Sequence, residues 1–408
     1  MTLDIAQTHP AHDTDWVAVA ASLAAEAKKT APGRERNSEL PTEELAKVRE
    51  TGLVNLLIPT EFGGGGGNWQ QTVRVIVEFG KADPNIGTLL AYHYHNYQPP
   101  WLDYVNGAEV IQRRSAENRW LWGHVTQPRA KDFSAIPQPD GGYILRGTKP
   151  MNTGPATGDV MNVTAEPEGR EELIYVVIPT DREGVVFHND WDHLGLRRTN
   201  TSAITFNDVA VAADEVIPTP EPLTTIPAWY AINGHFAFAA SYLGAALGVL
   251  EEVRDYLGTK TIAHPIRATS PALIEVPFIQ AEVGRLWSKA QAALAYLDQI
   301  TREYDEAFAR DPSPDNVDLD WLNARTEIFR VYAARLGIDA GAKLYDFLGS
   351  SATANKYNFD RYWRDVRIHS LHGGAPLYGD KAIGDYYVNG QSRRPNLSAL
   401  FAGGQKTT

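Results

Sequence analysis

The sequence predicts an α+β protein in three parts: helical, then β, then helical again. Three observations carry this reading. Apolar residues recur at helical spacing from Trp16 to about Asn118; short alternating runs broken by glycine and proline begin near Trp120; and long apolar stripes of helical period return beyond a proline-rich joint. A length of 408 residues at roughly 150 per domain agrees with two or three domains. The expected boundaries are 1–118, 119–222 and 223–408.

In the first part, Val17, Ala20, Ala21, Leu23 and Ala24 form a helical stripe. A second helix opens at Pro41-Thr42-Glu43-Glu44, where a first-turn proline is tolerated and two glutamates suit the positive end of the helix dipole. The run Gly63 to Gly67 follows the apolar segment Leu53 to Pro59. It carries neither the lysine of a P-loop nor the spacing of a dinucleotide fingerprint, so a flexible surface loop is expected there.

In the second part, Gly142-Tyr143-Ile144-Leu145-Arg146-Gly147, Leu173 to Ile178 and Ala203-Ile204-Thr205-Phe206 read as strands between turns. Pro218, Pro220, Pro222 and Pro227 exclude helix and central strand and mark the joint. In the third part, Ala239, Leu243, Ala246, Leu250, Val253 and Leu257 define one helix. Ile279, Val283, Leu286, Ala290, Ala293, Leu297, Ile300 and Tyr304 define another, with the three-and-four spacing of a helix packed in a bundle.

Composition narrows the chemistry. Lys+Arg 38 against Asp+Glu 50 gives a net charge of −12 without long like-charge blocks, which argues against nucleic acid or an anionic membrane as partner. The absence of cysteine removes disulfides, thiolate metal sites, iron–sulfur clusters and cysteine nucleophiles. Catalysis then falls to imidazoles, carboxylates and hydroxyls, or to a bound organic cofactor. No run of 18 apolar residues and no basic-then-apolar leader is present, so a cytoplasmic protein without a membrane span is expected. Eighteen Tyr and ten Trp suit a flat aromatic-lined site, or plain core packing.

The densest polar-aromatic segment runs from Phe359 to Gly374. If helical, it places His369 and His372, three apart, on a shared face, and likewise Arg361 and Asp365, four apart. Two imidazoles so placed can be a metal pair, a proton relay or a structural pair; a third ligand and the H-E-x-x-H pattern are missing, so no metal is expected. In Tyr92-His93-Tyr94-His95-Asn96, a helix puts His93 and His95 on different faces, and only one of them is expected to reach a pocket. The nucleophile elbow G-x-S-x-G is absent, which demotes esterase chemistry.

Taken in order, Gly147-Thr148-Lys149, Leu194-Gly195-Leu196-Arg197, Phe206-Asn207-Asp208-Val209-Ala210-Val211 and Arg364-Asp365-Val366-Arg367 resemble the acyl-CoA dehydrogenase fold over essentially the whole chain. The resemblance implies an N-terminal helical domain, a central β-barrel or sandwich domain and a C-terminal four-helix bundle. Where the dehydrogenases carry the glutamate base of a Glu-Gly-Thr motif, this chain has His372-Gly373-Gly374, with Gly373 at the base position. Abstraction of a C–H proton has no candidate base there. An FAD-dependent acyl-CoA dehydrogenase is the alternative reading, since some dehydrogenases carry the glutamate on another helix.

The sequence is more similar to the dibenzothiophene monooxygenase group of that fold. The similarity is carried by Tyr92-His93 after Asp83-Pro84-Asn85-Ile86-Gly87, by Asn189-Asp190-Trp191, and above all by Phe359-Asp360-Arg361-Tyr362-Trp363-Arg364 with His369-Ser370-Leu371-His372. It implies an enzyme that takes reduced FMN from a separate flavin reductase, forms a flavin C4a-hydroperoxide and oxygenates a small organosulfur compound or amine, as a homotetramer. Such an adduct survives where water is excluded and its oxygen is hydrogen-bonded. By the same resemblance, His372 and Thr153 hold the peroxide, Thr153 standing where the family has a serine, with Tyr92 facing substrate and His369 beside them. On the cofactor side stand Gly123, His124, Trp191, Arg197, Lys260 and His264. His124 replaces a family asparagine with a group that titrates near neutral pH. His264 stands where the family has an arginine near the flavin phosphate, leaving Lys260 or Arg267 as the positive charge. Thr88 replaces a histidine on the substrate-side helix. The changes at 88 and 124 point to a substrate other than a large aromatic thiophene.

Overall fold

The computed structural model describes residues 14–96, 108–127, 130–217, 228–260, 272–310, 318–372 and 375–391. Among the described residues the first part holds six helices: α1 (Trp16–Lys28), α2 (Ala31–Arg36), α3 (Thr42–Glu50), α4 (Trp69–Ala82), α5 (Pro84–Asn96) and α6 (Ala108–Asn118). Local chemistry sets their starts. The Asp15 carboxylate accepts the Ala18 amide at 2.9 Å to begin α1, and Asn68 with Gln71 closes a capping box on α4. Pro41 lies one residue outside α3 as its N-cap, not in its first turn.

The glycine run corrects an expectation. Residues 63–67 are laid against the preceding segment: the amides of Gly64, Gly65, Gly66 and Gly67 donate to the carbonyls of Pro59, Asn55, Ile58 and Leu56. A Cβ at Gly64 would stand 2.0 Å from the Ile58 carbonyl oxygen. The run is glycine because two backbones meet there, not because a loop needs freedom.

Eight strands follow in two four-stranded sheets, ordered β1-β4-β5-β8 and β2-β3-β7-β6. They are β1 (Trp122–Val125), β2 (Phe133–Pro137), β3 (Tyr143–Asn152), β4 (Val160–Ala165), β5 (Ile174–Pro179), β6 (Val185–Phe187), β7 (Ser202–Val211) and β8 (Val216–Ile217). Val125, Met161, Val163, Val176 and Ile178 of the first sheet meet Ala135, Leu145, Ile204, Phe206 and Val209 of the second, forming a sandwich core. The other face of the first sheet joins the helical core through Trp122, Val160, Tyr175, Val177 and Ile217. β1 and β4 pair in parallel, and this sets His124 beside Asn162.

The remaining helices are α7 (Ala228–Leu257), α8 (Pro277–Arg310), α9 (Leu319–Leu348), α10 (Asp360–His369) and α11 (Ala375–Asn389). α7, α8 and α9 pack together and α11 lies on α9. The stretch Tyr230–Leu257 is long and apolar enough to cross a membrane, yet 83% of its most apolar window is buried inside the protein. It is the central core helix. α4 presses against it through small residues, and α5 against α4 in the same way: a Cβ at Gly244 would lie 2.7 Å from the Val77 carbonyl oxygen of α4, and one at Gly87 of α5 would lie 2.9 Å from the Gly80 nitrogen of α4. The first and last helical blocks therefore share one apolar core.

A polar network ties the sandwich to that core. The Arg198 guanidinium and the Asp83 carboxylate, both without solvent exposure, form an ion pair; Arg198 also reaches Glu44 at 2.6 Å and the Glu39 carbonyl at 2.8 Å. Asp365 on α10 accepts the Leu196 amide at 2.6 Å and the Asn85 side-chain amide at 2.9 Å. Burial and the nearby carboxylates of Glu35 and Asp83 push its carboxyl up to about 8. Removing one partner of a buried pair strands the other charge. Arg198→Leu is therefore expected to destabilise the fold by about 3–5 kcal/mol, read as a shift of the urea unfolding midpoint; a change within the scatter of surface substitutions would contradict this role.

Candidate active site

The site gathers where α5, α7 and the α10–α11 corner face the edge of β1. On α5 every residue from Pro84 to Asn96 is buried, so each side chain needs an apolar contact or a polar partner. His93 meets this need structurally: its Nδ1 accepts the Trp122 amide at 3.1 Å, and its Nε2 donates to the Val54 carbonyl at 2.9 Å. His95, on another face, bonds the Asn233 side chain at 2.9 Å through Nδ1 and packs on Tyr230 at 4.2 Å between ring centroids. The expectation that only one of the two reaches the cluster holds, and it is His95, whose ring lies 5.3 Å from that of His124.

Tyr92 is the hub. Its ring lies 4.5 Å from Phe238, 4.9 Å from His124, 5.5 Å from His369 and 6.1 Å from His372, nearly perpendicular at 88°. Its hydroxyl meets His369 Nε2 at 3.2 Å, and burial raises its pKa. His369 ends α10, while His372 lies in the following turn outside the helix, yet their rings are 5.8 Å apart. The Tyr242 hydroxyl donates to the His369 carbonyl at 3.0 Å. Arg330 approaches the His372 carbonyl at 3.5 Å and is held by Glu327 at 2.8 and 3.0 Å, which in turn meets His235 at 3.2 Å.

On the sandwich side, the His124 amide donates to the Thr153 carbonyl at 2.8 Å. Gly123 admits this approach, since a Cβ there would stand 2.5 Å from the Pro155 nitrogen. The His124 ring bonds Asn96 Oδ1 at 2.8 Å through Nδ1 and the Thr126 hydroxyl through Nε2. The amide oxygen only accepts, so Nδ1 carries the proton and Nε2 accepts from Thr126. Burial, then the nearby charges of His95, His372 and Lys149, hold its pKa well below the ordinary value. The expectation that His124 titrates near neutrality is thereby overturned. Lys149 is fully buried beneath it; its ammonium donates to the carbonyls of Gln127 and Thr164, and burial pushes it down to about 7.

Other expected site residues lie apart from this cluster. Trp191 donates its indole N–H to the Leu196 carbonyl at 2.9 Å. Arg197 reaches the Arg36 carbonyl at 3.2 Å, on the N-terminal helices. Lys260 stands over the Tyr256 ring at 5.6 Å. His264, Arg267, Gly373 and Gly374 lie outside the described residues. Phe238, Thr126, Thr199 and Thr201 also belong to the site, though no sequence motif marks them. Only Phe238 left a trace, as a large ring among alanines in Ala237-Phe238-Ala239-Ala240.

The residues fit a flavin. Tyr92 and Phe238 offer flat apolar surface, Thr153, Thr126, His124 and His372 offer polar edges, and the His369 Nδ1 and Asn96 Nδ2 atoms are buried without a partner. Glu327, behind the cluster, is committed to Arg330 and His235. Imidazoles and hydroxyls thus meet at the junction of a helical core and a β sandwich, as the resemblance to the acyl-CoA dehydrogenase fold implies.

The comparisons with known proteins agree. The chain matches the acyl-CoA dehydrogenase N-terminal domain over residues 15–108, the middle domain over 126–209 and the C-terminal domain over 236–375. It is 30% identical to the dibenzothiophene monooxygenase of Rhodococcus qingshengii across 98% of this chain and all of that protein, and belongs to this monooxygenase branch of the acyl-CoA dehydrogenase family. The FMN-bound structure of TdsC from Paenibacillus sp. A11-2 superposes with a TM-score of 0.85 at 28% identity, covering 94% of this chain and 99% of that one. The methanesulfinate monooxygenase MsuC from Pseudomonas fluorescens superposes with a TM-score of 0.83 at 26% identity, covering 93% and 98%.

The buried histidines give a pH signature. Burial holds both His93 and His95 at about 4. Between about 6.5 and 4 the unfolded chain takes up protons that the folded chain refuses, so stability is full above that window and is lost as pH falls through it. Thermal melts across this range are expected to fall steeply, and His93→Gln is expected to flatten part of the fall. A melting temperature independent of pH there would contradict the burial of neutral imidazoles.

Proposed function

We propose that the protein is an FMN-dependent monooxygenase that transfers one atom of O2 to a small organosulfur compound. The observation that carries this reading is the Tyr92–His369–His372 cluster beside Thr153 and His124, in a chain of the dibenzothiophene monooxygenase family. Reduced FMN, when bound, supplies the electrons that activate O2. The chain's own residues do the rest. Tyr92 and Phe238 wall the ring and exclude water, His372 and Thr153 present polar atoms to the oxygen-bearing side, and Tyr242 and Arg330 hold the carbonyls of the histidine corner. Trp191, Arg197, Lys260 and His264 are proposed to reach the remainder of the cofactor. FAD-dependent dehydrogenation is less supported, because the cluster offers imidazoles and hydroxyls where that chemistry needs a free carboxylate.

A separate flavin reductase is proposed to deliver reduced FMN in the cytoplasm, since no nicotinamide fingerprint is present in the sequence. The substrate is proposed to be smaller than dibenzothiophene. Thr88 ties its hydroxyl to Ser241 at 3.1 Å, and the His95 and Tyr230 rings crowd the far side of His124.

With a reductase, NADH and air, the protein is expected to oxygenate an alkyl sulfide, sulfone or sulfinate. His372→Ala is expected to lower product formation by at least about a hundredfold, the scale of losing a positioned donor, and to divert the electrons to hydrogen peroxide. Rapid acyl-CoA-dependent bleaching of bound FAD without O2 would instead establish the dehydrogenase.

We also infer a homotetramer. Large apolar side chains stand exposed on the bundle helices, among them Phe278 at 66%, Trp287 at 55% and Tyr387 at 90%, and such surface marks an interface. Light scattering is expected to give four times the chain mass of 45.0 kDa, and Trp287→Glu is expected to yield a smaller species. A wild-type monomer would overturn the inference.

A further inference from the structure

The Thr153 hydroxyl is the first of three in a row. Its Oγ1 lies 3.0 Å from Thr201 Oγ1, Thr201 Oγ1 lies 2.8 Å from Thr199 Oγ1, and Thr199 Oγ1 lies 2.8 Å from the Leu196 carbonyl oxygen. All three threonines are buried. Two oxygens this close repel unless a proton lies between them, and a carbonyl has none to give. The proton of Thr199 therefore points to Leu196, that of Thr201 to Thr199, and that of Thr153 to Thr201. The opposite polarity makes one hydrogen bond fewer and leaves two bare oxygens face to face.

The end of the row cannot swing away. The Leu196 carbonyl also accepts the Trp191 indole at 2.9 Å and the Thr199 amide at 3.1 Å, while the Leu196 amide is held by Asp365 at 2.6 Å. Thr153 is left with lone pairs on the other side, where its side chain also hydrogen-bonds the Tyr92 phenol.

We propose that Thr199 and Thr201 are positioning residues that make Thr153 an obligate hydrogen-bond acceptor, and that this acceptor selects the reduced flavin over the oxidised one. The second clause rests on the reading that the pocket holds FMN. Two-electron reduction places an N–H on the central ring where oxidised flavin has a bare nitrogen. An acceptor at Thr153 binds the first and repels the second. Thr153 contributes by taking a proton donor, so donation to a bound oxygen species falls to His372 alone.

The hydroxyl polarity is tested directly by neutron diffraction from deuterated protein. The deuteron between Thr153 and Thr201 is expected on the Thr153 oxygen, and the one between Thr201 and Thr199 on the Thr201 oxygen; deuterons on the opposite partners overturn the proposal whether or not FMN binds. Anaerobic titrations with oxidised and with reduced FMN test the consequence. The wild type is expected to favour the reduced form, Thr201→Val to shrink that preference by about tenfold, the scale of one hydrogen bond, and Thr201→Ser to restore it. An unchanged preference in a folded Thr201→Val protein overturns the selectivity. If Thr201→Val fails to fold, Thr201→Ser and the wild-type neutron map still decide. Failure of both flavin forms to bind refutes the FMN reading alone, and leaves the polarity to the neutron map.

Discussion

Arg198 and Asp83 meet without solvent, and the arrangement of the three parts depends on that pair. Burying two charges is costly, and the cost is offset only where every remaining hydrogen-bonding position is filled. Here all three guanidinium nitrogens are engaged: beside Asp83, Arg198 donates to Glu44 and the Glu39 carbonyl, and Asp83 uses its second oxygen on the Asn85 amide at 2.9 Å. One guanidinium from the sandwich loop thus reaches the α2–α3 connection, α3 and the start of α5. Asp365 adds α10 to the same knot by holding Leu196 and Asn85. The loop that carries Trp191, Thr199 and Thr201 is positioned by charge, whereas the helices around it are positioned by apolar packing.

That division explains why the inner imidazoles are held neutral. His93, His95, His124 and His369 are enclosed by apolar rings and helix backbone, and burial is the largest influence on each, driving it below its ordinary value. The ion pair of Glu327 with Arg330 and the Lys149 ammonium lie one layer away. Buried neutral imidazoles suit chemistry in which a reactive oxygen species must be kept from premature protonation.

Much of the architecture was legible because it is local. Helical period in 239–257 and 279–304, alternation in 143–147 and 173–178, and the prolines after Ile217 each report on their own segment, and the segments appear where they were read. His369-Ser370-Leu371-His372 and Tyr92 were legible as a pair of motifs, and the fold brings them within ring contact. What escaped depends on partners distant in sequence. Gly63 to Gly67 reads as a loose loop until Ile58 is seen against Gly64. His124 reads as a titrating group until Asn96, Thr126 and burial are supplied. Arg198 looks like a surface charge beside Arg197, and only the fold tells them apart: one is sealed on Asp83, the other reaches outward. Thr199 and Thr201 carry no motif at all, and their meaning comes from the carbonyl at the end of their row.

The close approaches of α4 to α7 at Gly80 and Gly244, and of α5 to α4 at Gly87, set the spacing of the helices that carry Tyr92 and Phe238 in main chain and not in side chains. The pocket thereby has a fixed gauge and an exchangeable lining. Exchanges at positions such as 88, 95, 124 and 230 would then change the side chains around the cluster while the spacing of the helices behind it stays the same.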